Sequence, residues 1–432
     1  MKHLLLISVF IFFSHNVNAT EYIIKFKSSI NQNSLQTLET LNVKIVSTIP
    51  QLNMAVASGS LQNLKALTNE HSSVIEYIEK NGIIKLDDSP QLFGGSWENE
   101  AKQMWNMEAI KLKDAFKITH GDRNVIVAVS DTGTYLEHRE LKDNLWKNKG
   151  EIGLDAQGKD KSKNKIDDDG NGYVDDVFGY NFEANSSLPR ENHYHGTHVA
   201  GTIGALGGNG SIIGVSGNVS LMTVKFIAPN GEGSDAAAIK SIVYAVDNGA
   251  RVINCSWGTS EFVQSLYDAI VYAQKKGVLI VAAAGNSGKN HDKYPHYPSG
   301  FDLANVISVT ATNNAGGKLA YFSNYGAATV SIAAPGDRVN STFSPMYQTT
   351  SCGSGSGLSH YYCELSGTSM AAPHVTGALA MVYAVNPKLN YIQARDIVLS
   401  TASPSIHLKD KVITGGQLDV AAAVKKAQTT LK

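Results

Sequence analysis

Short apolar runs alternate with longer amphipathic ones over most of this chain. From about Gln103, "NVIVAVSDTG", "LMTVKF", "ARVINCSWG", "GVLIVAAAGN", "NVISVTAT" and "VSIAAPG" are β-rich and almost wholly apolar. Between them lie stretches with helical spacing, such as "AAIKSIVYAVDNG" and "SLYDAIVYAQKKG". Strands apolar on both faces, separated by helices, predict a mainly parallel sheet covered by helices on each side. Upstream, "EYIIKF", "NMAVAS" and "VIEYIEK" suit strands, and "LQTLETL" and "SLQNLKALT" carry helical spacing. They predict a small α+β unit over residues 20–84. The intervening "KLDDSPQLFGGSWENEAK" has no period and reads as an exposed linker over residues 85–102, leaving 103–432 for the large domain.

The first residues, "MKHLLLISVFIFFSHNVNAT", combine Lys2, an apolar core too short to span a bilayer, and small residues at Val17-Asn18-Ala19. Residues 1–19 therefore read as an export signal. The expected product is secreted, or periplasmic in a Gram-negative host, with no membrane insertion. No room is expected for a further C-terminal domain. The 432 residues carry a formal net charge of -1 and no basic block, which argues against a nucleic-acid partner. Of three cysteines, Cys352 and Cys363 bracket a Gly/Ser-rich stretch and could close a short loop, as an exported compartment permits. Cys255 lies in an apolar run and reads as a buried free thiol.

In open parallel sheets, functional residues gather where strands end. Asp131 closes one apolar run, His195 opens "HGTHVAG", Asn286 follows another run, and Ser369 opens the apolar helical stretch in "LSGTSMAAPHV". A serine before a helix is ordinarily a cap. Here the chain also supplies a candidate base, a carboxylate to orient it, and an amide able to donate to an oxyanion. No second "DTG" or "DSG" supports a paired-aspartate site, and "HExxH" is absent. His198 and His374 read as structural, and Ser366 and Thr368 as capping or packing residues.

"DTG", "HGTHVAG", "AAAGN" and "GTSMAAPHV", in that order, closely resemble the Asp, His, oxyanion and Ser motifs of the subtilisin-like serine peptidases. "NGEGS", "VINCSWG", "FSNYG" and "IAAPG" extend the resemblance. It implies a subtilisin-like three-layer α/β fold preceded by a propeptide that inhibits and templates folding. It further implies that Asp131 orients His195, that His195 is general base and then acid, that Ser369 is the nucleophile and that Asn286 holds the oxyanion. Gly231, Glu232 and Gly233, with Ser256, Trp257 and Gly258, would flank an extended protein or peptide substrate. Trp257 could equally cover core. The implied product is a monomeric endopeptidase that removes its own propeptide by a cut between Asn81 and Glu100. A peptide ligase or cyclase on the same fold, or a non-catalytic binding protein, are the rivals.

Two further expectations concern ligands. "KIDDDGNGYVDD" alternates Asp167, Asp169 and Asn171 before Gly172, with Asp175 and Asp176 beyond. Hard oxygen donors in this pattern suit a structural Ca²⁺, although Phe178 stands where an EF-hand would place its Glu. In "DKYPHYPSG", Lys293 or His296 could stand at the specificity pocket, and either would make it polar. The insert Gly353–Ser359 would lie near the nucleophile.

Overall fold

The computed structural model describes residues 20–30, 35–36, 38, 43–60, 64, 73–86, 91–93, 104–207, 212–347, 352 and 360–431. Residues 1–19, expected as an export signal, and the Gly353–Ser359 insert lie outside them. The chain divides into two compact units after Asn81.

In the first unit, Glu21–Phe26 is the central antiparallel partner of Met54–Ser58 and Ile75–Lys80, and Lys44–Ile49 adds an edge. Ile24, Phe26, Ala55, Ala57 and Ile75 fill its core together with Leu38 and Leu64.

The second unit is built on a nine-stranded sheet. From one edge to the other run Ser403–Pro404, Gly416–Gln417, Ile332–Pro335, Val306–Thr312, Leu279–Ala283, Val252–Cys255, Gly121–Asp131, Asn218–Lys225 and Gly179–Asn181. All neighbours are parallel except Ser403–Pro404. The strand Gly121–Asp131 shows how side-chain alternation builds three layers. Val125, Val127 and Val129 enter the main apolar cluster with the helices His195–Gly204 and Thr368–Val385. Ser130, of the opposite parity, hydrogen-bonds Ser241 on the helix Asp235–Asp247 (2.8 Å). The helix Thr368–Val385 is buried from Thr368 to Tyr383, which explains its apolar residues on every side.

The stretch expected as a linker behaves otherwise. Ile83–Lys85 is a strand paired antiparallel with Glu232–Ser234, and Gln91–Phe93 pairs with Glu364–Ser366. Both borrow partners far away in sequence, so local composition did not reveal them. Residues 87–90 and 94–103 lie outside the described set. Cys352 and Cys363 are joined in a disulfide, and Cys255 is a buried free thiol whose ionisation is pushed up by burial. Among the described residues, no helix is long and apolar enough to cross a membrane.

Candidate active site

Parallel register delivers the candidate residues to one edge of the sheet. Cys255 pairs with Ser130, so Asp131 and Ser256 leave adjacent strands side by side. Asp131 is fully buried, and both its carboxylate oxygens face Nδ1 of His195, at 2.8 and 3.0 Å. Oδ1 also accepts from the Thr132 amide at 2.7 Å. A carboxylate so placed holds the imidazole in one tautomer, with Nε2 free of the proton.

Thr132 ties the turn to the histidine's helix. Its hydroxyl donates to the carbonyl of His193 and accepts from the amide of Gly196, in the first turn of His195–Gly204. Gly133 has φ +95°, a left-handed conformation that suits glycine. A Cβ at Gly196 would sit 2.2 Å from the Gly133 carbonyl oxygen, so "DTG" and "HG" depend on each other for close approach.

Ser369 lies in the first turn of Thr368–Val385, where its own N–H has no carbonyl one turn earlier in the helix to bond. Its Oγ donates to the carbonyl of Ser256 at 2.9 Å, and the Ser256 hydroxyl donates back to the Ser369 carbonyl at 2.8 Å. That carbonyl is available because Pro373, four residues on, has no N–H to offer it. Asn254 in turn donates to Ser256 Oγ (2.8 Å), and Thr376 donates to Asn254 (2.9 Å). The chain Thr376–Asn254–Ser256 therefore fixes the serine's backbone from behind. In this resting geometry the serine hydroxyl points to Ser256 rather than to the histidine; such bonds commonly tighten only with substrate present.

Asn286 follows the strand Leu279–Ala283. Its Oδ1 accepts from both the amide (2.8 Å) and the hydroxyl (2.9 Å) of Thr368. These two donors set the orientation of the side-chain amide and leave its NH₂ as the donor presented next to Ser369. Thr368 thus positions the amide, a task beyond the capping or packing read from sequence.

Other residues join the site with weaker signals. Lys225 sits in register with Asp131 and is 1% exposed. Its ammonium donates to the carbonyls of Thr132 and Ile227 and to Asn192 Oδ1, and burial pushes it down to about 8. Its only sequence signal was a lysine within an apolar strand. Trp257 turns into the core, fully buried, with its indole N–H on the Ser130 carbonyl and its ring edge-on to Phe226. It therefore offers a substrate main chain only. His198 bonds the carbonyls of Val339 and Cys363, and His374 bonds Met370 and Asn106; burial pushes them down to about 3 and about 4.

Gly231–Gly233 and Ser256–Gly258 form two walls of a groove. The strand Ile83–Lys85 lies between them: Glu232 pairs with Lys85, Gly233 with Ile84, and Lys85 bridges Gly258 on the other side. The Leu86 amide adds a bond to the Gly231 carbonyl at 2.8 Å. Ile84 is fully buried, whereas Ile83 and Lys85 are exposed.

The acidic loop differs from the expected ligand set. Glu151, Asp167 and Asp169 bring carboxylate oxygens within 4.8 Å of one another. Glu151 was not anticipated, since it lies outside the acidic run. Its Oε1 accepts from the Asp168 amide, while the buried Oε2 has no hydrogen-bond partner. Asn171 lies beside the cluster, donating its backbone amide to Asp167 and Asp169. Asp176 accepts from Tyr244, Asn148 and Asn171, the last two of which also donate to Asp169, and burial raises it to about 6. Asp175 accepts from the Lys165 amide and has a left-handed φ of 53°. These two residues stand outside the group of three, which Glu151 completes. An unsatisfied buried carboxylate oxygen facing two further carboxylates fits a hard cation.

Residues 122–427 match the Subtilase family. The subtilisin-like protease 1 of Plasmodium berghei is 30% identical over 342 residues, covering 75% of this chain and 53% of its own length. The chain thus spans about half of that relative. Subtilisin DY of Bacillus licheniformis is 36% identical over 251 residues, covering 58% of this chain and 84% of its own. Among solved structures, an epidermin leader peptide processing serine protease from Staphylococcus aureus aligns with TM-score 0.70 at 22% identity, covering 94% of this chain and 99% of that one. Fervidolysin from Fervidobacterium pennivorans, described as a keratinolytic enzyme related to subtilisin, aligns with TM-score 0.69 at 24% identity over 94% of this chain and 61% of its own. With the Asp131–His195 couple and the Ser369 helix meeting at one end of a parallel sheet, the chain belongs to the subtilase family.

Proposed function

We propose that this chain is a serine endopeptidase, made as an exported, self-processing zymogen. The observation that carries the reading is the Asp131–His195 couple, delivered to the same sheet edge as a helix-opening serine whose neighbour, Thr368, holds the amide of Asn286. In that arrangement His195 Nε2 takes the proton from Ser369 as Oγ attacks the scissile carbonyl carbon. Asp131 stabilises the imidazolium that forms. The Asn286 NH₂ and the Ser369 amide donate to the developing oxyanion, where fixed dipoles in a dry site contribute most. His195 then protonates the leaving amine, and water releases the acyl group by the reverse sequence of proton transfers.

Substrates bind as an extended strand between Gly231–Gly233 and Ser256–Gly258, gaining affinity from main-chain pairing. The chain's own Ile83–Lys85 strand in that groove supports this reading. It also supports self-processing. Leu86 bonds the Gly231 carbonyl in the groove, and Gln91 pairs with Ser366, shortly before Ser369 in sequence. The bond to be cut lies between Asn81 and Glu100. Residues 20–84 then constitute the inhibitory folding unit that is released, leaving a monomer.

A structural Ca²⁺ is part of the proposal. Glu151, Asp167 and Asp169 would hold it, with Asn171 alongside; the ion would neutralise three crowded carboxylates and brace the loop, with no part in the chemistry. The test of the peptidase reading is covalent labelling by a fluorophosphonate. Wild type should be labelled on Ser369 and lose turnover of a denatured protein substrate in parallel. Turnover that survives complete labelling, or label found on another residue, contradicts it.

A further inference from the structure

We infer that Asp235 and Glu232 set the substrate class of the groove: extended segments that carry a basic residue three positions after a glycine. The inference rests on the peptidase reading above and adds what the groove selects.

The main chain fixes the register. Lys85 is held from both sides, paired with Glu232 and bridged to Gly258. Ile84 faces Gly233 and is fully buried, and Ile83 faces Ser234 and is 61% exposed. The ladder runs one step further, where the Asp235 amide donates to the Gly82 carbonyl at 3.2 Å. The occupant is thus gripped from Gly82 to Lys85, and the first and last of these residues each meet a carboxylate.

At Gly82 the carboxylate reads the backbone. The Gly82 amide donates to Asp235 Oδ2 at 2.8 Å. Asp235 is 3% exposed and is the first residue of the helix Asp235–Asp247. Ser234 fixes that helix start by accepting from the Ala237 amide at 3.2 Å. The unpaired amides of a helix's first turn favour an anion there. The same carboxylate senses a side chain. A Cβ at Gly82 would lie 2.6 Å from Asp235 Oδ2, and the three nearest atoms it would meet all belong to Asp235. Gly82 does not have a left-handed φ, so its backbone alone makes no demand for glycine. The demand comes from Asp235: any larger residue must push the carboxylate off the amide it binds.

At Lys85 the carboxylate reads charge. Directly opposed residues of an antiparallel pair share a face. Lys85 Nζ lies 2.6 Å from Glu232 Oε1. Asn230 prepares this acceptor: its Nδ2 donates to Glu232 Oε2 at 3.1 Å, and its Oδ1 accepts from the Glu232 amide at 3.1 Å. Oε1 is left for the occupant's cation. This pair is exposed and therefore weak and sensitive to salt, whereas the Asp235 contact is buried and stronger. The sequence offered Lys293 or His296 as the polar specificity residue. Lys293 is exposed and His296 buried, and the carboxylates that meet the groove's occupant are Glu232 and Asp235.

The test uses the matured enzyme and a quenched fluorescent peptide of residues 79–100, with Gly82→Ala, Lys85→Glu and Ile83→Thr versions. With wild type, Gly82→Ala should lower kcat/KM about tenfold, the size of a lost charge-assisted hydrogen bond. Lys85→Glu should lower it about three- to fivefold, the size of an exposed ion pair. Ile83→Thr should change it little. Salt at about 1 M should erase the Lys85→Glu loss and leave the Gly82→Ala loss. Asp235→Ala should cleave the Gly82 and Ala-substituted peptides alike, and Glu232→Lys should prefer the Lys85→Glu peptide to the natural one. Equal kcat/KM for all four peptides with wild type, or an unchanged order of preference in both enzyme variants, overturns the inference while leaving the peptidase reading intact. No turnover of any peptide by wild type overturns both. Should either enzyme variant fail to fold, the wild-type series decides by itself.

Discussion

The cleft and the acidic loop hold their polar groups in opposite ways. At the cleft, every carboxylate and hydroxyl is assigned a donor or acceptor by rigid elements: Asp131 by His195 and Thr132, Ser369 by Ser256, Asn286 by Thr368. In the loop, three carboxylates crowd together and one buried oxygen of Glu151 goes unsatisfied. A preorganised site serves a reaction that must not wait for reorganisation. A crowded one is incomplete until a cation arrives. Damage to the cleft should therefore appear in rate with little change in stability, and damage to the loop should appear in stability with little change in rate.

The sharpest break would come from Ser369→Ala. Turnover should fall by a factor on the order of 10⁶, a size carried over from a related subtilisin, while the melting temperature stays within a few degrees. A variant that keeps more than a small fraction of turnover would remove the cleft from the comparison. Asn286→Ala comes next. Steady-state kinetics should show kcat lower by about 10²–10³ with KM little changed, again the size found in a relative. A rise in KM with full kcat would assign the amide to substrate binding instead.

On the loop side, a chelator should cost about 3 kcal/mol if calcium was present at a hundredfold excess over its Kd, lowering Tm by several degrees in calorimetry. Glu151→Gln should abolish that calcium dependence, whereas Asp175→Asn should leave it in place. A response to Asp175 and none to Glu151 would restore the ligand set suggested by the sequence.

The smallest effect tests whether region or environment makes the difference. His374 lies on the helix that Ser369 opens, yet it is buried and its ring is pushed down to about 4 from 6.5. A depressed histidine leaves the unfolded chain binding more protons. Its contribution to stability is therefore complete above pH 6.5 and is lost as pH falls toward 4. Between pH 6.5 and 5 that loss is about 2 kcal/mol. Replacing His374 by Gln should flatten the denaturant-unfolding free energy across this interval by a comparable amount. An unchanged pH slope would show that the ring is not held neutral.

Much of the cleft was legible because its residues sit in contiguous motifs at strand ends. Parallel strands bring such ends together whatever the loops between them do. What stayed hidden depends on partners distant in sequence. The strands Ile83–Lys85 and Gln91–Phe93 exist because Glu232–Ser234 and Glu364–Ser366 offer free edges, and a Pro- and Gly-containing stretch gives no hint of that. Glu151 reaches the acidic loop through folding, and Asp176 takes its hydrogen bonds from Tyr244, Asn148 and Asn171. Trp257 stood beside the groove in sequence, but its indole N–H found the Ser130 carbonyl inside. Pro373, inside the helix, lacks an N–H, and that leaves the Ser369 carbonyl to Ser256.

The most direct measurement is the intact mass of wild type and Ser369→Ala after identical expression in calcium-containing buffer. Wild type should have lost a fragment ending between Asn81 and Glu100, and Ser369→Ala should retain it. If both proteins remain whole, or both are cut at the same bond, Ser369 is not the nucleophile that matures this chain.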